Sequence, residues 1–123
     1  MNRTALFPGS FDPFTLGHKI VVDQGLELFE RIVIAVGVNT EKRGLLTPEN
    51  RARLIRDLYR NDSRIEVVIY NELTGKVCRQ LGIDTILRGL RNTVDFEYER
   101  NIMQVNQTLF PEIKTVLLFT PAR

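Results

Sequence analysis

Pro8-Gly9-Ser10-Phe11-Asp12-Pro13-Phe14-Thr15-Leu16-Gly17-His18 joins a short apolar run, Ala5-Leu6-Phe7, to a segment with helical apolar spacing. The three pieces predict a strand, a small-residue loop and a helix start. A helix start offers unpaired backbone N–H groups and the positive end of the helix dipole, so it suits an anion. His18, the single histidine of the chain, falls in the first turn of this helix and adds a ring N–H donor for the same anion. The pattern predicts a nucleotide-phosphate site where the first strand ends.

Outward from this stretch, strand-like and helix-like runs alternate. Strands are predicted over 4–7, 31–38, 65–70, 85–87 and 115–119. The second reads Ile32-Val33-Ile34-Ala35-Val36, a continuous apolar run that suits a strand buried on both faces. Helices are predicted over 15–29, from Pro48 behind a Thr47 cap, over 73–81 with Gly82 as the stop, and over 92–110. The first helix is expected to face the core with Val21, Gly25, Leu28 and Phe29. The second carries Arg51, Leu54, Ile55 and Leu58 at helical spacing. The last is expected to dock through Val94, Tyr98, Ile102, Val105 and Leu109, leaving a second apolar set at Phe96, Met103 and Phe110. Strands separated by helices imply right-handed βαβ units. The expectation is one α/β domain over 1–123 with a doubly wound, five-stranded parallel sheet. In such sheets ligands bind at the carboxyl ends of the strands, at the switch point of the topology.

Composition bounds the partners. Hydrophobic residues make up 43% and charged residues 26%, as in ordinary globular domains. A net charge of +2 is too small to argue for nucleic acid or a membrane surface, so any electropositive site must be local. No apolar run approaches the roughly 18 residues of a membrane span, and the N-terminus does not read as a signal peptide. Cys78 is the one cysteine, which excludes an internal disulfide and makes a reducing cytoplasm the expected setting. It is expected to be a small buried apolar group. One Cys and one His cannot build a zinc site from the usual N/S ligands.

Three polar segments follow strand ends and would converge on one rim of the sheet. The first, 8–14, carries Ser10 and Asp12, with Gly17 and His18 just beyond. The second, 39–44, carries Lys42 and Arg43. The third, Arg88-Gly89-Leu90-Arg91, offers two arginines, whose planar donor forks suit phosphate. Plainer readings stand beside these. Ser10 and Asp12 also fit a turn and its cap. Arg91, Asp95 and Glu99 also fit a helix-face ladder of ion pairs. Tyr98 fits a core or packing-edge position, and Asn106 fits the polar side of its helix. The chain lacks a Gly-x-x-x-x-Gly-Lys-Ser/Thr loop, a Gly-x-Gly-x-x-Gly fingerprint and a Gly-x-Ser-x-Gly elbow. That inventory favours positioning and charge stabilisation over a covalent intermediate.

These residues resemble those of the bacterial phosphopantetheine adenylyltransferases, within the nucleotidyltransferase superfamily that carries a Thr/His-x-Gly-His motif. Three stretches carry the likeness. They are Phe7 to His18, Leu46-Thr47-Pro48-Glu49-Asn50-Arg51, and Ile86-Leu87-Arg88-Gly89-Leu90-Arg91 running on to Asp95-Phe96-Glu97-Tyr98-Glu99. The resemblance implies a Rossmann-like, dinucleotide-binding-type nucleotidyltransferase fold. It implies transfer of an adenylyl group from ATP to 4′-phosphopantetheine, giving dephospho-CoA and pyrophosphate, by direct attack of the acceptor phosphate on the α-phosphorus. By the same resemblance Gly17 and His18 lie against the ATP phosphates, and His18 stabilises the charge that builds there. Ser10 and Phe11 help hold the nucleotide, with the Ser10 hydroxyl also near the acceptor phosphate. Lys42 and Arg88 hold that phosphate, and Arg91 and Glu99 serve the ATP side. Leu73, Thr74 and Asn106 line the pantetheine arm. Mg²⁺ accompanies ATP, and the assembly is a homohexamer. The family pattern continues past the fifth strand into an Ile-Ser-Ser/Thr segment, a further Arg and C-terminal helices. The present sequence does not contain them, so residues completing the ATP site are expected to be missing. A sibling enzyme with another acceptor, and a non-catalytic nucleotide-binding or assembly form, remain the alternatives.

Overall fold

A computed structural model describes residues 3–38, 44–91 and 93–120, with 93–95 described by their backbone alone. Five strands and four helices alternate along the chain: β1 (Thr4–Gly9), α1 (Leu16–Leu28), β2 (Arg31–Gly37), α2 (Pro48–Leu58), β3 (Ile65–Tyr70), α3 (Thr74–Leu81), β4 (Thr85–Leu90), α4 (Thr93–Leu109) and β5 (Lys114–Phe119). The strands form one parallel sheet in the order β3-β2-β1-β4-β5. The chain winds outward from β1 to β3, then crosses to the other side of β1 for β4 and β5. The sheet is doubly wound, as expected, and its switch point lies between β1 and β4.

Each face of the sheet has its own apolar layer. One gathers Phe7, Phe11, Val21, Val22, Ile32, Ile34, Ala52, Ile55 and Leu87 under α1 and α2. The other gathers Leu6, Val33, Val77, Cys78, Ile83, Ile86, Phe110 and Ile113 beside α3. Residues 32–36 are buried throughout, because β2 is covered on both faces.

The helix ends follow local chemistry. Thr47 caps α2 by accepting from the Asn50 amide at 3.1 Å, with Pro48 in the first turn. Gly82 ends α3 at φ 70°, in the left-handed region that favours glycine. Gly25 lets α1 lie close on the sheet: a Cβ there would stand 2.7 Å from Ile32 and Leu87 side-chain carbons.

Three expectations about helix faces are corrected. Leu28 is half exposed, and α1 docks through Val21, Val22 and Gly25. Leu54 and Leu58 are also outside; α2 buries Arg51, Ala52 and Ile55. On α4 the expected stripe mostly faces outward, with Tyr98 63% and Val105 59% exposed. Glu99 is buried instead, Ile102, Met103 and Asn106 are half-buried, and Phe110 just beyond the helix is buried. The inward positions i, i+3, i+4, i+7 and i+11 are a helical face too, but its first member is a carboxylate that an apolar pattern does not count.

Candidate active site

At the carboxyl ends of β1 and β4 opens a cleft of about 440 Å³. Pro8, Gly9, Ser10 and Phe11 form one wall and Gly17 and His18 the second. Arg88, Gly89 and Arg91 form the third, and Tyr98 and Glu99 come from α4. Elements distant in sequence meet here because β1 and β4 are neighbours in the sheet. The two strands pair at one position, Leu6 opposite Ile86. Further along, the Arg88 guanidinium reaches across and donates from Nη1 to the Pro8 carbonyl at 3.1 Å. A side chain thus satisfies a carbonyl near the strand end.

His18 is held in the cleft by hydrogen bonds and ring contacts. It occupies the third position of α1 and completes a capping box with Thr15. The Thr15 backbone N–H donates to His18 Nδ1 at 2.9 Å, and Thr15 Oγ1 lies 3.1 Å from the same nitrogen. Phe11, Phe14 and Phe7 surround the ring, with centroids 4.9, 5.3 and 6.2 Å away. Burial first, then the positive charges of Arg91 and Arg88, hold the imidazole pKa below its ordinary value.

Phe11 is one of the expected nucleotide-holding residues. Its ring is 2% exposed and its backbone sits at φ 52°. A non-glycine residue in that region is uncommon, and the packing of the ring against Phe7 at 5.2 Å secures it. The side chain thus belongs to the core and to the setting of His18. Ser10 is exposed at the rim, and its carbonyl accepts from Arg51 Nη1 at 2.8 Å. Gly17 is open: a Cβ there would meet only Thr15 Oγ1, at 3.6 Å. The protein's own packing does not require glycine at this position, whereas a ligand lying against the helix start would.

Arg88 lies within β4, which runs to Leu90 and so takes in a residue expected to follow the strand. Its Nε and Nη2 form a bidentate pair with the buried Glu99 carboxylate at 2.6 and 2.5 Å. Glu99 thus pairs across elements, from α4 to β4, while the side chain of Asp95, the middle member of the expected ladder, lies outside the described residues. Arg91 is exposed at the cleft mouth just after β4. Behind the Arg88–Glu99 pair lies a second cavity of about 30 Å³, lined also by Thr74, Met103 and Asn106. Thr74 and Asn106, from α3 and α4, thus share one space adjoining the cleft. Leu73 precedes α3, is 57% exposed, and is not among the residues lining either cavity. Lys42 falls outside the described residues.

Two residues have roles that spacing and turn chemistry do not reveal. The Asp12 carboxylate accepts from the Leu45 and Leu46 amides at 2.7 and 3.0 Å. Arg51, buried, donates to the carbonyls of Leu46 and Ser10 at 3.0 and 2.8 Å. Together they fasten the loop after β1 to the approach to α2. The available signal was an arginine at helical spacing with Leu54, Ile55 and Leu58: a guanidinium buried on such a face needs several acceptors. Cys78 is buried as expected, and burial pushes its thiol up to about 11, so it carries little thiolate at neutral pH.

A cytidylyltransferase-like family model matches residues 6–121. The phosphopantetheine adenylyltransferase of Flavobacterium psychrophilum is 45% identical over 120 residues, spanning 98% of this chain and 79% of that protein. That of Lactobacillus johnsonii is 46% identical over 117 residues, spanning 94% and 70% respectively. Among solved structures, a NadR protein in complex with NAD and AMP-PNP superposes with a TM-score of 0.71 at 15% identity, covering 98% of this chain and 38% of that one. A pantoate-beta-alanine ligase from Francisella tularensis gives 0.69 at 10% identity, covering 99% and 60%. The structural likenesses establish the Rossmann-like fold, and the sequence identities establish the family. This chain belongs to the phosphopantetheine adenylyltransferase family of cytidylyltransferase-like enzymes.

Proposed function

We propose that the protein transfers the adenylyl group of ATP to 4′-phosphopantetheine, giving dephospho-CoA and pyrophosphate in the synthesis of coenzyme A. The observation that carries this reading is the meeting of His18 and the α1 start with Arg88 and Arg91 in one cleft at the sheet's switch point. In the proposed reaction the acceptor phosphate oxygen attacks the α-phosphorus in line, and pyrophosphate departs. The developing negative charge on the α-phosphoryl oxygens is met by the His18 ring donor and the helix start. Orientation of two bound substrates supplies much of the remaining acceleration. Lys42 and Arg88 would hold the acceptor phosphate, with the Ser10 hydroxyl nearby. Arg91 and Glu99 would serve ATP, and Leu73, Thr74 and Asn106 the pantetheine arm.

Mg²⁺ belongs to this proposal as a companion of the triphosphate, whose charge it neutralises. Among the described residues no three His, Cys, Asp or Glu side chains gather to hold an ion. In this proposal phosphate oxygens and water are the ion's main ligands. We also propose a homohexamer in the cytoplasm. The outward apolar residues Phe96, Tyr98, Val105 and Leu109 on α4 support a subunit interface there. Among the described residues no helix is long and apolar enough to cross a membrane.

The deciding experiment incubates the protein with ATP, Mg²⁺ and one acceptor at a time, and measures pyrophosphate. Release with 4′-phosphopantetheine is expected. Release only with nicotinamide mononucleotide or glycerol phosphate would assign a sibling activity, and ATP binding without turnover on any acceptor would assign a non-catalytic form.

A further inference from the structure

Capping boxes ordinarily place Glu or Gln at the third helical position, where the side chain accepts from the backbone N–H of the cap residue. Here His18 does that work. A ring nitrogen that accepts from an N–H carries no proton of its own, so the single proton of a neutral imidazole must sit on the other nitrogen. A glutamate in this place would set a negative charge where phosphates approach. The imidazole caps the same amide and remains uncharged.

We propose that the Thr15 backbone amide is a positioning group for His18, holding it as the neutral tautomer with its proton on Nε2 as the donor toward the cleft. The role given to that donor rests on the adenylyl-transfer reading above; the tautomer itself does not. Three observations converge on it. Thr15 N–H donates to Nδ1 at 2.9 Å. The Thr15 hydroxyl, 3.1 Å from Nδ1, is free to rotate and donate to the same lone pair in this tautomer, and its oxygen accepts from the His18 amide at 3.4 Å. Phe7, Phe11 and Phe14 enclose the ring with apolar surface, which resists a flip. Protonation of Nδ1 would set two donors head to head, so the imidazolium and the capping box exclude one another.

The groups around the ring act in the same direction. Arg88 on β4 and Arg91 after it oppose a further positive charge, and burial does so more strongly. Glu99 on α4 faces the same cleft, but its carboxylate is engaged by Arg88. Tyr98 of α4 lines the cleft, and Tyr59 lies beyond Phe14. The sign of the linkage follows. With its folded pKa held below 6.5, His18 contributes stability that is present above pH 6.5 and lost as pH falls toward the folded value.

One histidine in the chain makes the test clean. Long-range proton–nitrogen correlation on the ¹⁵N-labelled full chain, without substrate, should show a pyridine-like Nδ1 and a pyrrole-like Nε2 at neutral pH. A ¹⁵N–¹⁵N coupling through the hydrogen bond should link Nδ1 to the Thr15 amide. The imidazole should titrate below 6.5. Thr15→Ala keeps the amide and should keep the tautomer. The reverse pattern, averaged tautomers, a charged ring at pH 7 or absence of the coupling would overturn the proposal. His18→Gln can still accept from Thr15 and present an N–H outward. It should turn over about tenfold faster than His18→Ala, and His18→Glu no faster than His18→Ala. Equal activity of the Gln and Ala variants would remove the catalytic half of the proposal. A correct tautomer in a protein inactive on every acceptor would instead remove the adenylyl-transfer reading.

Discussion

The junction of β1 with α1 and the helix α4 border the same cleft but are held by different means. At the junction, the groups that place His18 lie within eleven residues of it: Thr15 at the cap, and the rings of Phe7, Phe11 and Phe14. Among the described residues of α4, Glu99 is held from another element instead. The rotation of the helix depends on Glu99 meeting Arg88 from β4 and on Phe110 entering the layer with Val77 and Cys78. In the proposed reaction the transition-state donor, His18, sits on the locally determined element. The element fixed by long-range contacts supplies a wall and an outer surface.

Removing the central group of the junction should give the largest effect. His18→Ala is expected to lower kcat by about 10²–10³ while weakening ATP binding much less, as when one transition-state donor is deleted. Loss of the His18 half of the capping box should cost about 1 kcal/mol of stability or less, read by urea unfolding. Unaltered turnover would leave the junction no more than a structural corner.

The α4 side is tested through stability, separately from the loss of the acceptor-phosphate contact proposed for Arg88. Arg88→Ala leaves a buried carboxylate without its partner and is expected to cost about 3 kcal/mol. Adding Glu99→Ala should restore part of that loss, because the double variant buries no unpaired charge. A cycle with no coupling energy would mean that the pair does not set the helix, and the contrast with the junction would fail.

The smallest effect on the protomer, and the sharpest on assembly, is expected at Val105 on the outward face of α4. Val105→Glu should change unfolding free energy by about 0.5 kcal/mol or less, since the side chain is largely exposed in the single chain. Light scattering should nevertheless show the assembly falling apart. A stable monomer already in the unaltered protein would refute the interface and leave α4 an ordinary surface helix.

The legibility of the sequence follows the same division. Thr47-Pro48 and Gly82 could be read because caps and turns are set by near neighbours, and the run 32–36 because an unbroken apolar stretch suits a strand covered on both faces. The Gly17-His18 corner was legible for that reason, although the acceptor role of Nδ1 was not: a residue type does not reveal which of its nitrogens meets an amide. Arg88 was recognisable as a cation at a strand end, yet its partners are Pro8, eighty residues away, and Glu99 on another element. The ladder from Arg91 through Asp95 to Glu99 satisfied helical spacing equally well. Spacing within one helix cannot show that a strand arginine arrives first.

By itself the sequence determined the order of strands and helices, the doubly wound class, and the placing of the histidine at a helix start behind a small-residue loop. The elements rest on interactions spanning a few residues, and their alternation then restricts the sheet to parallel, right-handed βαβ winding. Only the tertiary structure decided which face of α4 meets the sheet, that Arg88 is clamped by Glu99, and that Asp12 and Arg51 tie two loops together. Each of these turns on burying a charge or a carboxylate, and that is possible only where partners from separate elements converge to satisfy it.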